Sequence, residues 1–196
     1  MVWESRPEPS AIVFGTVGRL VPERGIDLIL GALAACYGEW RLRIVGSGPM
    51  QESLEAQAQR LGLSSRVEWL GVMPRERLTE FWNGLDVLLA PSRSTPTWVE
   101  PTGRLVLDAM ARGVAPVVSR CGALPDVVGE AGLIIDEGDG DALMRAIASL
   151  IAEPWRCRAL GAAARQRVLE RYSDGAVAER MGRLWRRVLE PEAAET

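Results

Sequence analysis

Four charged side chains are spaced to do chemistry: Arg19, Arg24, Glu100 and Asp108. The two acids border one stretch, Glu100-Pro101-Thr102-Gly103-Arg104-Leu105-Val106-Leu107-Asp108-Ala109-Met110-Ala111-Arg112-Gly113. Pro101 resists entering a helix interior, so Glu100 belongs to a loop. Leu105, Leu107, Ala109 and Met110 supply a buried helical face, and Gly113 stands where a C′ glycine ends a helix. Asp108 therefore lies inside that helix. Eight residues at helical rise span about 12 Å, which is too far for two carboxylates to share one proton transfer and about the length of an extended ligand. Between the acids, the helix start offers unpaired backbone N–H groups and the positive end of a dipole, both suited to phosphate. The pattern reads as an acid, a phosphate site and a second acid in a line. The alternative at this point is two solvated surface acids.

The arginines belong to a second loop. Gly18-Arg19-Leu20-Val21-Pro22-Glu23-Arg24-Gly25 follows an apolar run and precedes a helix opening at Ile26. A strand, a glycine loop and a helix start form an anion-binding arrangement. Guanidinium grips phosphate oxygens in bidentate fashion, which makes Arg19 and Arg24 the candidate cations. Two ordinary surface arginines would look the same. The pair Gly46 and Gly48 lacks the third glycine and the ribose acid of a dinucleotide fingerprint, and is not read as one.

The elements that must position these residues alternate. Ala11 to Val17 reads as a strand buried on both faces, and a helix follows from Ile26 to about Tyr37. Trp40 to Val45 is a second strand, with a helix from about Met50 to Leu61. Val67 to Gly71 is a third strand, with Val72-Met73-Pro74 as its exit loop and a helix over Arg75 to Asn83. Asp86 to Ser92, Val114 to Val118 and Gly132 to Ile135 complete six strands. A short helix lies around Pro125 to Val128. Asp139 or Asp141 caps a helix over Ala142 to Ala152. Two more helices run from Pro154 to about Tyr172 and from about Gly175 to Leu189. This is an α/β pattern, a Rossmann-like parallel sheet with helices on both faces. Residues 1–10 read as a linker or loose terminus, 11–190 as one domain and 191–196 as a polar tail. Ligands of such sheets sit at the carboxyl ends of the strands. The glycine loop, Val72-Met73 and the Glu100 loop all leave from that edge.

Composition narrows the chemistry. The chain has 196 residues, a net charge of -3 and no histidine. The charge argues against a dedicated nucleic-acid binder. Without histidine there is no Ser-His-Asp or Cys-His nucleophile and no His-ligated metal site. Cys36, Cys121 and Cys157 are scattered, and read as small buried hydrophobes in a reducing cytoplasm. No apolar run approaches the ~20 residues of a membrane span, and no signal peptide opens the chain.

Taken together, the motifs resemble those of a known family. Val17-Gly18-Arg19-Leu20 through Arg24-Gly25 resembles the V-G-R-L-x-x-x-K-G signature of GT-B glycosyltransferases, family 4 in the sequence classification. Glu100 to Gly113 resembles that family's E-x-F-G-x-x-x-x-E-A-M-A-x-G segment, the E-x7-E motif. The resemblance covers about residues 11 to 190 and matches only the C-terminal, donor-binding half of a fold with two Rossmann-like domains. It implies that Arg19 and Arg24, with Gly18 and the backbone N–H groups near Leu105 and Val106, bind the pyrophosphate of a nucleotide-diphospho sugar. It further implies Asp108 on the ribose hydroxyls, Glu100 on the donor sugar, and Val72 and Met73 at the base. The implied reaction is glycosyl transfer with retained anomeric configuration and neither cofactor nor metal. Three positions depart from the pattern: Arg24 replaces Lys, Thr102 replaces Phe and Asp108 replaces Glu. A non-catalytic nucleotide-sugar-binding or regulatory subunit is the alternative function. A nucleotide-sugar epimerase half is disfavoured by the Glu100 to Gly113 segment.

The same resemblance implies a missing acceptor domain, since all six strands belong to one sheet. The final helix has an apolar stripe of Val177, Met181, Leu184, Trp185 and Val188 at helical spacing. Self-association through 175–189 is the expectation, with a peripheral position at the inner membrane face for a longer enzyme.

Overall fold

A computed structural model describes residues 11–189. The expected linker and polar tail lie outside the described residues. Six strands form one sheet: β1 (Ile12–Val17), β2 (Trp40–Val45), β3 (Val67–Trp69), β4 (Val87–Ala90), β5 (Ala115–Ser119) and β6 (Leu133–Ile135). Every pairing is parallel and the order is β3-β2-β1-β4-β5-β6. The helices are α1 (Ile26–Ala34), α2 (Gln51–Arg60), α3 (Arg75–Asn83), α4 (Arg104–Met110), α5 (Leu124–Val128), α6 (Gly140–Ala152), α7 (Trp155–Arg171) and α8 (Asp174–Leu189).

Both faces of the sheet are covered, because neighbouring strand residues point to opposite sides. Val87 and Leu89 pack into a core with Ile29 of α1, Leu54 of α2 and Ile147 of α6. Leu88 between them packs into a second core with Trp82 of α3, Val106 and Met110 of α4, and Leu124 of α5. All three cysteines are buried. Burial, with the nearby Asp86 charge second, pushes the Cys157 thiol up to about 12, and burial raises Cys36 as well. These thiols are packing groups.

The six strands fall where the sequence places them, with most ends shifted by a residue or two: β2 is unchanged and β5 runs one residue further, to Ser119. Of the two candidate caps for α6, Asp139 is the one used: its Oδ1 accepts the Ala142 N–H at 2.7 Å. One expectation needs correction. The helix does not carry most of the separation between Glu100 and Asp108. Gly103 adopts φ 61, a left-handed conformation that halts the helix there, and α4 begins at Arg104. Only four helical steps lie between Arg104 and Asp108, a rise of about 6 Å.

Candidate functional site

Strands β1 and β4 are neighbours, yet their connections leave to opposite sides of the sheet. A crevice opens at that reversal, beyond the carboxyl ends of the strands. Two loops line it. The first leaves β1 at Gly18, whose N–H donates to the Val45 carbonyl at 3.0 Å. A Cβ on Gly18 would lie 3.3 Å from Arg24 Nε, so glycine lets the Arg24 side chain lie across the strand end. Pro22–Arg24 then forms a single 3-10 turn, closed by Gly25 at φ 67. The second loop runs from β4 to α4 and contains Glu100.

The loops meet in an ion pair. Arg24 Nη1 donates to Glu100 Oε2 at 2.6 Å, with side chains 27% and 11% exposed. The other oxygen, Oε1, accepts the Gly103 N–H at 3.2 Å. Burying a carboxylate is tolerable only with such partners. The Glu100 carbonyl accepts the Ala123 N–H at 3.0 Å, which ties its backbone to the start of α5. Trp98 covers Arg24 from another side, with the guanidinium carbon 5.1 Å from the ring centroid. The first helical N–H groups of α4, on Arg104, Leu105 and Val106, precede the first residue whose N–H reaches an intrahelical carbonyl, Leu107 to Gly103 at 2.9 Å. Arg24, Ser92, Glu100, Thr102, Leu105 and Val106 line a cleft of about 210 Å³ here. A cation, a carboxylate and a row of backbone donors thus face one small volume, a setting for an anionic ligand that carries hydroxyl groups.

A family model described as glycosyl transferases group 1 matches residues 3–167. The chain belongs to the glycosyl transferases group 1 family. One relative is the GDP-mannose-dependent alpha-(1-6)-phosphatidylinositol monomannoside mannosyltransferase of Mycolicibacterium smegmatis. It is 34% identical over 163 residues, which are 80% of this chain and 43% of the relative. Sucrose-phosphate synthase from Thermosynechococcus elongatus has the same fold with TM-score 0.78 at 30% identity, over 92% of this chain and 46% of that one. A C-terminal domain of a glycosyl transferase group 1 family protein from Francisella tularensis matches with TM-score 0.76 over 85% of this chain and 88% of its own. At 19% identity that last likeness is one of fold. The chain spans less than half the length of the first two.

Within this group 1 chain the residues singled out by sequence divide into two sets. Arg24, Glu100, Leu105 and Val106 are brought together at the cleft, with Gly18 beneath Arg24. Arg19, Asp108, Val72 and Met73 stand outside its lining. Arg19 is exposed near the end of β1, and Asp108 is half-buried on α4; among the described residues neither side chain has a hydrogen-bond or ion-pair partner. Val72 is 76% exposed and Met73 half-buried, in the exit loop of β3, which lies two strands from β1. Two residues at the site escape sequence reasoning. Trp98 is the one aromatic in an otherwise small and polar loop, in an antiparallel bridge with Thr95. Arg93 is the one cation between Pro91 and Gly103. Each was visible as an odd residue, but neither stood at a motif position.

Proposed function

We propose that the chain is the donor-binding half of a retaining glycosyltransferase. It holds a nucleotide-diphospho sugar, and the sugar passes to an acceptor presented by an N-terminal acceptor domain. That domain comes from the same longer protein or from another chain. The observation that carries the reading is the Arg24 to Glu100 pair beside the first-turn donors of α4. Membership of a glycosyltransferase family supports it. Arg24 and Arg19 take the diphosphate with the N–H groups of Leu105 and Val106. Asp108 holds the ribose hydroxyls, Val72 and Met73 meet the base, and Glu100 contacts the donor sugar. A diphosphate competes with Glu100 for Arg24, and its arrival leaves one carboxylate oxygen able to accept from a sugar hydroxyl.

The reaction breaks the bond between the anomeric carbon and the diphosphate oxygen. It forms a bond from the same face to the acceptor oxygen, and the acceptor proton passes to the leaving diphosphate. Glu100 is therefore not required as a general base, and no metal or cofactor is required. Water exclusion and acceptor positioning need the other half, so the isolated chain binds donor but transfers little. No helix among the described residues is long and apolar enough to cross a membrane. We place the longer enzyme in the cytoplasm, peripheral at the inner membrane face.

Calorimetric titration with UDP-, GDP- and ADP-sugars tests the reading. Binding of at least one class is expected, and no binding of any at millimolar levels overturns it. The departures from the family pattern at Thr102 and Asp108 favour one second reading, a non-catalytic nucleotide-sugar-binding or regulatory subunit. Joining the chain to the N-terminal half of a family relative separates the two, since only the first reading predicts transfer.

A further inference from the structure

We infer that Arg93 is a positioning residue for the donor site, locking the turn that carries Arg24 against the loop that carries Glu100. The inference rests on the donor-binding reading above. Neither loop is self-supporting. The first contains one 3-10 turn of 3 residues, and the second holds a single isolated bridge, Thr95 with Trp98. Arg93 joins them at four points. Its backbone N–H donates to the Glu23 carbonyl at 2.7 Å. Its Nη2 and Nε both donate to the Pro22 carbonyl, at 2.6 and 3.2 Å. Its Nη2 also pairs with Asp27 Oδ1 at 2.7 Å, in the first turn of α1.

Each acceptor lies within three residues of Arg24: Pro22 and Glu23 before it and Asp27 after it. Gripping them sets where the Arg24 guanidinium begins its reach toward Glu100. The contacts close a ring: Arg93 to the turn, the turn to Arg24, Arg24 to Glu100, and Glu100 back along the loop to Arg93. The planar fork adds a second donor to the Pro22 carbonyl: Nη2 serves both Pro22 and Asp27, and Nε reinforces the first, whereas an ammonium could replace the Nη2 contacts but not the Nε one. Asp27 also neutralises Arg93, so that its charge does not compete with Arg24 for an anion. The pair is about one-third exposed on each side, with side chains at 30% and 32%. Such a pair contributes little stability, and its consequence is geometric.

The molecule supplies its own control. The adjacent Ser94 is held by Glu137, with N–H to Oε2 at 2.6 Å and Oγ to Oε1 at 2.8 Å. This tie anchors the same loop to the β6–α6 connection and does not touch the Arg24 turn. Glu137→Gln therefore loosens the loop without releasing Arg24.

The experiment measures affinity for nucleoside diphosphate and for the matching monophosphate in wild type, Arg93→Gln, Arg93→Lys and Glu137→Gln. Thermal unfolding is recorded for each. Arg93→Gln is expected to weaken diphosphate binding about tenfold and monophosphate binding less than about twofold. Arg93→Lys gives an intermediate loss, and remains informative if the glutamine variant fails to fold. Glu137→Gln changes neither affinity by more than about twofold. Wild-type affinity in both Arg93 variants overturns the inference, and so does an equal loss in Glu137→Gln. Absence of nucleotide binding in the wild type overturns the donor-binding reading instead.

Discussion

Glu100 carries two contacts through two oxygens, one to Arg24 and one to the Gly103 N–H. Glutamine at this position keeps an acceptor for Gly103 but removes the negative charge that faces Arg24. In an enzyme joined to its acceptor half, Glu100→Gln is expected to lower sugar transfer by about tenfold to a hundredfold. Nucleotide diphosphate affinity stays close to wild type, because Arg24 remains and loses its competitor. Steady-state transfer rates beside calorimetric affinities check this, and an equal loss in both would remove Glu100 from the reacting sugar. Of the three departures from the family pattern, Arg24 is the one the structure explains. A guanidinium can pair with Glu100, lie across Gly18 and stack on Trp98 at once, which a point charge does less well. Thr102 is exposed at the cleft and Asp108 is half-buried on α4; nothing in their surroundings accounts for either exchange.

At the scale of elements, the site depends on how closely two loops approach. A Cβ on Gly25 would meet the Pro91 carbonyl oxygen at 2.2 Å, and φ there is 67. Gly31 in the middle of α1 has nothing within 4 Å of the same position. The two glycines should therefore respond to alanine with opposite signs. Gly25→Ala is expected to destabilise by at least about 2 kcal/mol, through left-handed strain and displacement of the loop carrying Glu100. Gly31→Ala is expected to stabilise by about 0.5–1 kcal/mol, as helix propensity predicts at an unobstructed position. Denaturant midpoints of the two variants read this directly. A mild effect at Gly25 would mean the loops are not in contact in solution.

At the scale of the molecule, α8 is the part left over. Val177, Met181, Leu184, Trp185 and Val188 are 41–69% exposed on one helix, and α8 contains no buried residue. A contiguous apolar stripe of this kind is covered in a functional assembly. The isolated chain is expected to self-associate through it, with a sedimentation coefficient that rises with concentration. Trp185→Glu should shift the balance toward monomer without altering the sheet. A concentration-independent monomer in the wild type would remove this expectation and leave the stripe to the acceptor half.

Local order was legible from local composition. Largely apolar runs gave β1, β4, β5 and β6, because a strand covered on both faces has no polar side to present, while β2 and β3 showed as alternating segments whose Arg41 and Glu68 are exposed. The loop glycines, Asp139 and the prolines marked most element ends, since each acts on its own backbone. The α4 start was legible to within one residue: the pattern turns helical from Gly103, and the left-handed conformation of that glycine puts the first helical residue at Arg104. The motif positions identified the two loops that matter and the charges they carry. What they did not contain was the meeting of those charges. Arg24 and Glu100 are 76 residues apart, and Arg93 reaches Pro22 across 71. The spacing of two residues in sequence gives no distance once a strand and its crossover intervene. The pairing of β1 with β4 decided that Arg24, Arg93 and Glu100 would share one crevice, and the twofold cover of the sheet left α8 with a face still to fill.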